Sequence, residues 1–468
     1  MLFSSITFLY AFLPAVLFFY FISDDRYRNS ILLIASIIFY AWGEPRYLLV
    51  MLCIIFVNYL AALQLQHQRK AKLILLIGTV CLNLGILGYF KYFNFFVVNF
   101  NKLLNLKVNI INVVMPLGIS FYTFQALSYV IDVYRGEVKA QKDLMKVALY
   151  VALFPQLIAG PIVKYHDIEQ NLCNKRVITA DLFVEGIKRF LCGLGKKVLI
   201  ANNMGLVADK IFNMAPDQVD TPLAWIGAIC YALQIFFDFS GYSDMAIGLG
   251  LLFGFRFQEN FNYPYIADSI TEFWHRWHIS LSTWLKNYLY IPLGGNRKGV
   301  IHTCINLLVV FTVTGFWHGA EWTFIAWGVW HGLFIVIEKL TGWHKKRGNA
   351  VFMTFKHVLT VFIVLIGWVL FRSKDFKSAY LYLKNMFGLL PHNNDAFYTH
   401  AFYYDNIQII VALLGVIFST PLIAKLFNRG ENSELIRLCQ NLSLIAIMIL
   451  SSAFLTAGTY NPFIYFRF

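Results

Sequence analysis

Apolar runs long enough to cross a bilayer recur along almost the whole of this chain. About 20 predominantly apolar residues span the hydrocarbon core. Candidate runs fall at 4–22, 30–42, 46–65, 73–97, 112–132, 146–163, 183–212, 222–238, 241–255, 300–317, 322–340, 356–372, 406–427 and 439–457. Several are short, which predicts about eleven to thirteen true crossings, the rest being re-entrant or paired. No internal repeat and no low-complexity linker interrupts them. A single membrane domain is therefore expected over residues 1–468, with its core at 112–340 and an aromatic tail at 460–468.

Composition closes off the soluble classes. Hydrophobic residues make up 59% of the 468 and charged residues 14%, whereas soluble domains run near 45–50% and about 25%. Such a chain cannot cover a water-facing surface. The net charge of +14 would suggest nucleic acid in a soluble protein. Here Lys and Arg sit in short loops between apolar runs, so the positive-inside rule accounts for them and no nucleic-acid partner is expected. The clusters are Arg69, Lys70 and Lys72; Arg135, Lys139, Lys142 and Lys146; Lys345, Lys346, Arg347 and Lys356; and Lys425, Arg429 and Arg437. Placing them inside puts both termini, and the segment 373–405, outside. Residues 1–22 carry no charge and no cleavage site precedes Asp24, so they read as a first transmembrane helix rather than a cleaved signal. The seven cysteines, with no Cys-x-x-Cys pair, read as small buried hydrophobes.

Residues 160–300 break the alternation with polar motifs. Non-helical or polar backbone at membrane depth survives only inside protein or along a wet cavity, so a site is expected there or just beyond. Four constellations carry the chemistry. In Asp238-Phe-Ser240-Gly-Tyr-Ser-Asp244 a carboxylate lies between apolar runs, where it needs a partner or a use. Either it caps a helix after a break near Gly241, or it touches substrate. In Glu272-Phe-Trp274-His275-Arg276-Trp-His278 the helical spacing lets Glu272, His275, Arg276 and His278 share a face. This segment, which continues through Asn287 to a turn at Tyr290–Arg297, is either an interfacial helix or a horizontal one walling a polar cavity. In Gly315-Phe-Trp317-His318-Gly-Ala-Glu-Trp322 one histidine sits in a tight turn between two apolar helices, with His331 a weaker candidate behind it. The tail, Asn461-Pro-Phe-Ile-Tyr465-Phe-Arg-Phe468, reads on composition alone as an interfacial anchor. A di-iron site would need more ligands than the Glu272-x-x-His275 pair, and nothing in the sequence holds His275, His278 and His318 together as a zinc set, so no metal is expected. A neutral imidazole taking a proton near pH 7 is the simpler chemistry.

With these motifs the chain resembles the membrane-bound O-acyltransferases. It is most similar to their bacterial branch, which serves alginate and peptidoglycan O-acetylation and teichoic-acid D-alanylation. The opening Met-Leu-Phe-Ser-Ser, Pro116-Leu-Gly-Ile-Ser-Phe-Tyr-Thr-Phe124, Phe154-Pro-Gln-Leu-Ile-Ala-Gly-Pro161, Asp238 to Asp244, Glu272 to Arg297 and Trp317-His318-Gly all carry the resemblance. It implies an all-α polytopic fold, a ring of tilted helices around a funnel, in a bacterial inner membrane. It implies His318 as catalytic base, with a second position at His275, His278 or Asn287. Phe463-Ile-Tyr465-Phe-Arg-Phe468 matches the branch's C-terminal F-x-Y-x-x-F motif, which implies Tyr465 as an acyl relay. The implied donor is cytosolic acetyl-CoA, a substrate rather than a tightly bound cofactor. Arg297 and Lys298 would meet its phosphates, and Asp238, Ser240, Glu272, Trp274, Arg276 and Trp317 would shape the substrate cavity. The implied partners are an extracytoplasmic esterase-like (SGNH) acetyltransferase and, through it, a polysaccharide. A transporter of an acylated small molecule and a non-catalytic scaffold of an export complex are the competing classes.

Overall fold

The computed structural model describes residues 1–67, 71–111, 113–158, 160–391, 402–429, 433–458 and 460–464; no strand occurs among the described residues. Among the described residues, seven helices are long and apolar enough to cross a bilayer: Pro45–His67, Lys72–Leu104, Thr221–Leu252, Val300–His318, Trp322–Thr341, Ala350–Arg372 and Glu434–Thr456. Phe8–Ile22 and Asn406–Phe418 are shorter apolar helices. The chain is a polytopic, all-α membrane protein. Other apolar runs are cut into pieces: 183–212 becomes Ala180–Gly195, a π-helical turn Lys196–Ala201 and Asn202–Phe212. Among the cysteines, Cys230 is buried, but Cys53, Cys81 and Cys439 sit on exposed faces of spanning helices. Lipid replaces protein core there, so most of these thiols are not the buried hydrophobes expected.

The described residues fall into two compact units. One comprises Met1–Phe190 with Tyr242–Gln258. Two motifs meet in it, and a glycine is the reason. Gly118 has φ +74°, and a Cβ there would stand 2.7 Å from the Leu157 carbonyl oxygen. The start of helix Ile119–Arg135 thus packs directly on the backbone of the 154–161 motif. Arg176 is buried in the same unit, donating to Tyr20 Oη (3.1 Å), Asn29 Oδ1 (2.8 Å) and the Asn171 carbonyl (2.8 Å). Asp244 is answered by Arg189 at 2.7 Å. These two motifs and Asp244 build the scaffold.

The second unit comprises Leu191–Gly241 with Glu259–Phe468. Its central pair of helices, Val300–His318 and Trp322–Thr341, touches backbone to backbone. A Cβ on Gly315 would lie 2.2 Å from the Phe324 carbonyl oxygen, and one on Gly328 would lie 2.2 Å from that of Phe311. Small residues permit this approach where no hydrophobic effect drives helices together. Helix Phe376–Met386 is capped by Asp375, whose Oδ1 accepts from Ser378 N at 2.7 Å. That bond holds the Asp375 carboxyl below its usual range. The cap is therefore in force at neutral pH and is lost only as pH falls through the depressed value. Asp375→Ala is expected to cost about 1 kcal/mol, read as faster hydrogen exchange confined to 376–386.

No helix break occurs at Asp238–Asp244, because Thr221–Leu252 is one continuous helix of 32 residues. Its apolar window is 83% buried in protein, so its polar side chains meet protein partners and not lipid. The 272–287 segment is not one amphipathic helix either. Ile270–Arg276 and Ile279–Leu285 are separated at His278, which has the left-handed φ of +45°. His278 therefore leaves the face of Glu272 and His275. Phe273, Trp274, Trp277 and Trp284 are all buried, which removes the reading of aromatics lying in headgroups.

Candidate active site

His318 is the last residue of helix Val300–His318 and is 5% exposed. Its ring is walled by Trp317 (centroids 5.0 Å apart), Trp327 (5.2 Å, edge-on) and Phe371 (5.3 Å). It faces a cavity of about 10 Å³ shared with Ile235, Phe239, Trp277, Trp368 and Ile464. That is on the order of one water, inside walls that are aromatic and aliphatic. An imidazole here acts in a dry site, where electrostatic interactions are stronger than in water. Its position depends on the crossing that carries it. Gly328→Ala is expected to part the two helices and cost at least about tenfold in turnover, because an error of ~1 Å in reacting geometry costs about 10²-fold. Steady-state kinetics on folded, monodisperse protein would check it.

Of the three candidates for the second position, the structure brings His278 to His318. Their centroids are 6.4 Å apart, and His278 stands edge-on to Phe239 at 4.6 Å. Asn260 fixes it. Asn260 Oδ1 accepts from Ser280 N (3.2 Å) and Ser280 Oγ (2.9 Å), and lies 3.1 Å from His278 Nδ1. An amide oxygen can only accept, so in this contact Nδ1 is the protonated nitrogen, which leaves Nε2 as an acceptor. Burial pushes the His278 imidazole down to about 3, so it stays neutral across physiological pH. His275 is exposed and lines a different cavity, with Trp274, Ser282, Lys286, Tyr290 and Thr314. This second cavity measures about 380 Å³, a ligand-sized volume. His275, His278 and His318 do not converge. Asn287 is half-buried in the π-helical turn Lys286–Tyr290.

The other candidates separate into wall, scaffold and surface. Trp274 belongs to the large cavity, and its ring is 5.6 Å from Trp327, which belongs to the small one. The two indoles thus stand between the cavities, with His331 behind them at 5.4 and 5.2 Å. Trp317 flanks both histidines. Glu272 and Arg276 are spent on each other at 2.8 Å, and Arg276 also donates to the Asn262 carbonyl. Arg297 and Lys298 are exposed in the glycine turn after Tyr290. Ser240 is buried on helix Thr221–Leu252.

Asp238 has a more specific place. Its carboxylate is ion-paired to Lys197 Nζ at 2.6 Å, with both side chains 2% exposed. The same carboxylate accepts from the backbone N–H of Ile464 at 2.8 Å, and Lys197 also donates to the Pro462 carbonyl. Phe463 and Ile464 are buried, and Ile464 lines the His318 cavity. The composition reading of the tail as a plain interfacial anchor therefore fails for its described part. Tyr465, together with Phe468, lies outside the described residues.

The sequence does not single out three further residues. Lys197 was legible as a lysine inside the apolar run 183–212, where a charge signals pairing or function. Asn260 gave no local signal. Glu338, on an apolar helix, grips the start of Ile270–Arg276 by accepting from Ile270 N (2.7 Å), Thr271 N (2.8 Å) and Thr271 Oγ1 (2.6 Å).

Comparison with known proteins gives the family. Residues 137–376, which include both histidines and the lining of both cavities apart from Ile464, match the model of the membrane-bound O-acyltransferase family. A probable alginate O-acetylase of Pseudomonas putida is 42% identical over 100% of both chains. Another, from Pseudomonas aeruginosa, is 46% identical over 83% of this chain and 75% of its own. The peptidoglycan O-acetyltransferase of Helicobacter pylori is 34% identical over 100% of this chain and 98% of its own. The family match and full-length relatives of this kind place the chain in the membrane-bound O-acyltransferase family, as a multi-pass membrane enzyme of the acyltransferase class.

Proposed function

We propose that this enzyme takes acetyl from acetyl-CoA on the cytosolic side of a bacterial inner membrane and delivers it outward for O-acetylation of a polysaccharide. His318 is the general base and Tyr465 the acyl carrier. The observation that carries the reading is the tail: Ile464 is built into the wall of the His318 cavity, and Tyr465 is the next residue. The names of the relatives support acetyl as the group and a polysaccharide, alginate or peptidoglycan, as the final acceptor.

The acyl arm of the donor enters through the larger cavity and passes the Trp274–Trp327 partition, with Lys286, Arg297 and Lys298 available to the phosphates. At His318 the imidazole takes the phenolic proton of Tyr465. A phenol of pKa near 10 is protonated at pH 7 and needs such a base. The phenolate oxygen attacks the thioester carbonyl, the C–S bond breaks, and the departing thiolate leaves as CoA after taking the proton back. The product is an aryl acetate, an activated ester. It passes acetyl to a hydroxyl on an external esterase-like partner, and from there to the sugar. Neutral His278, with its Nε2 acceptor, orients the reacting groups and does not compete for the proton.

The test is purified enzyme in liposomes with acetyl-labelled acetyl-CoA, following CoA release and mapping label by mass spectrometry. Label on the C-terminal peptide is the expected result. CoA release without label there would mean direct transfer, and no CoA release with partners present would remove acetyl-CoA as donor.

A further inference from the structure

We infer that Lys197 and Asp238 form a clip that sets the position of the tail's reacting residue, an inference that rests on the reading of Tyr465 as acyl carrier. Two oppositely charged side chains, each 2% exposed and 2.6 Å apart, are weak evidence of stability by themselves. Desolvation offsets their attraction unless the remaining protons and lone pairs are satisfied. Here the tail supplies one partner to each. Lys197 donates to the Pro462 carbonyl, and the Ile464 N–H donates to Asp238 at 2.8 Å. Pro462 itself brings no N–H to the site. The pair therefore grips backbone, not side chains, which fixes register along 462–464 and hence where residue 465 begins.

The surroundings are built for it. A Cβ on Gly241, one turn beyond Asp238, would stand 2.8 Å from the Gly193 carbonyl and 3.1 Å from Lys197 N. Only glycine lets helix Thr221–Leu252 approach closely enough for the pair to form. A second grip holds the start of the tail. Asp209, paired with Arg372 at 2.8 Å, accepts from the Tyr460 hydroxyl. Asn202 donates to Asn461 Oδ1 at 3.2 Å. Lys197 and Asp238 are thus positioning residues that act through the tail.

Hydrogen exchange and kinetics test this together. In the intact enzyme the C-terminal peptide should exchange slowly, and free exchange of that peptide would overturn the clip without any variant. The double variant Lys197→Met with Asp238→Leu leaves no unpaired buried charge, so it is the variant expected to fold. It should speed exchange of that peptide by about tenfold or more while other peptides keep their rates. It should lower kcat for acetyl transfer to the tail by about 100-fold, with KM for acetyl-CoA unchanged. A merely structural role would disturb exchange broadly or move KM. Unchanged tail exchange in the double variant overturns the clip, and faster exchange with unchanged kcat overturns its role in positioning. Absence of acetyl on Tyr465 in the unaltered enzyme is a separate result. It defeats the carrier reading, and the clip's catalytic purpose with it, while the exchange data still report whether the tail is held.

Discussion

His318→Ala is expected to lower acyl transfer by about 10³-fold, inside the 10²–10⁴-fold range of a positioned general base. His318 is the histidine that faces the small cavity, and Ile464 of the tail faces the same space. His278 cannot replace it, because burial holds that imidazole near pKa 3 and its Nδ1 is committed to Asn260. Truncation to Ala also removes ring contacts with Trp317, Trp327 and Phe371, so some loss could come from collapse of the pocket. His318→Gln separates the two causes. It fills most of the space and offers hydrogen bonds, but it cannot take a proton at pH 7. Both variants should lose turnover alike while keeping monodispersity and the exchange pattern of Val300–His318. Retention of substantial activity by the Gln variant would remove His318 as the base.

The sequence displayed some of this site and hid the rest for identifiable reasons. His318 was visible because Gly315 and Gly319 flank it in a short polar break between apolar helices, a pattern that survives without any tertiary knowledge. The membrane class followed from the length of the apolar runs. The 238–244 motif misled because serine, glycine and aspartate usually end helices. In this chain they continue one, since Arg189 answers Asp244 and Lys197 answers Asp238. Spacing put Glu272, His275 and His278 on one face, and a single left-handed residue at His278 undid it. Local pattern does not announce such a hinge when the residue is histidine rather than glycine. The link from Asp238 to Ile464 crosses 226 residues, and no periodicity reports a contact of that range.

Lys197 and Asp238 also explain why a charged pair persists in so apolar a chain. Each charge alone would cost about 2.5–3.5 kcal/mol at mid-membrane on insertion scales. Paired and hydrogen-bonded to 462–464, they turn that cost into a demand for the tail, which supplies the carbonyl and the N–H that they bond. The tail and the pair are therefore interdependent: a shortened tail should destabilise the ion pair as much as a broken pair frees the tail.

Tyr465→Phe should have the second large effect, and it discriminates more sharply than any truncation. The substitution deletes one oxygen and keeps the ring, its size and its affinity for an interface. If the tail only anchors the chain end, Phe serves as well as Tyr and transfer is unchanged. If the phenolic oxygen carries the acetyl group, label on the tail disappears and delivery to an external acceptor falls by about 10³-fold, since no nucleophile remains at the position that the clip presents. CoA release should fall with it, apart from slow hydrolysis by water at His318. The clip predicts one further contrast. Tyr465→Phe leaves Pro462, Phe463 and Ile464 in place, so tail exchange should match the unaltered enzyme although chemistry is lost. The Lys197→Met/Asp238→Leu variant should show the reverse order of events, a released tail that still bears its phenol and acetylates slowly. Finding slow exchange with no acetylation in one variant, and fast exchange with residual acetylation in the other, would separate holding the carrier from being the carrier.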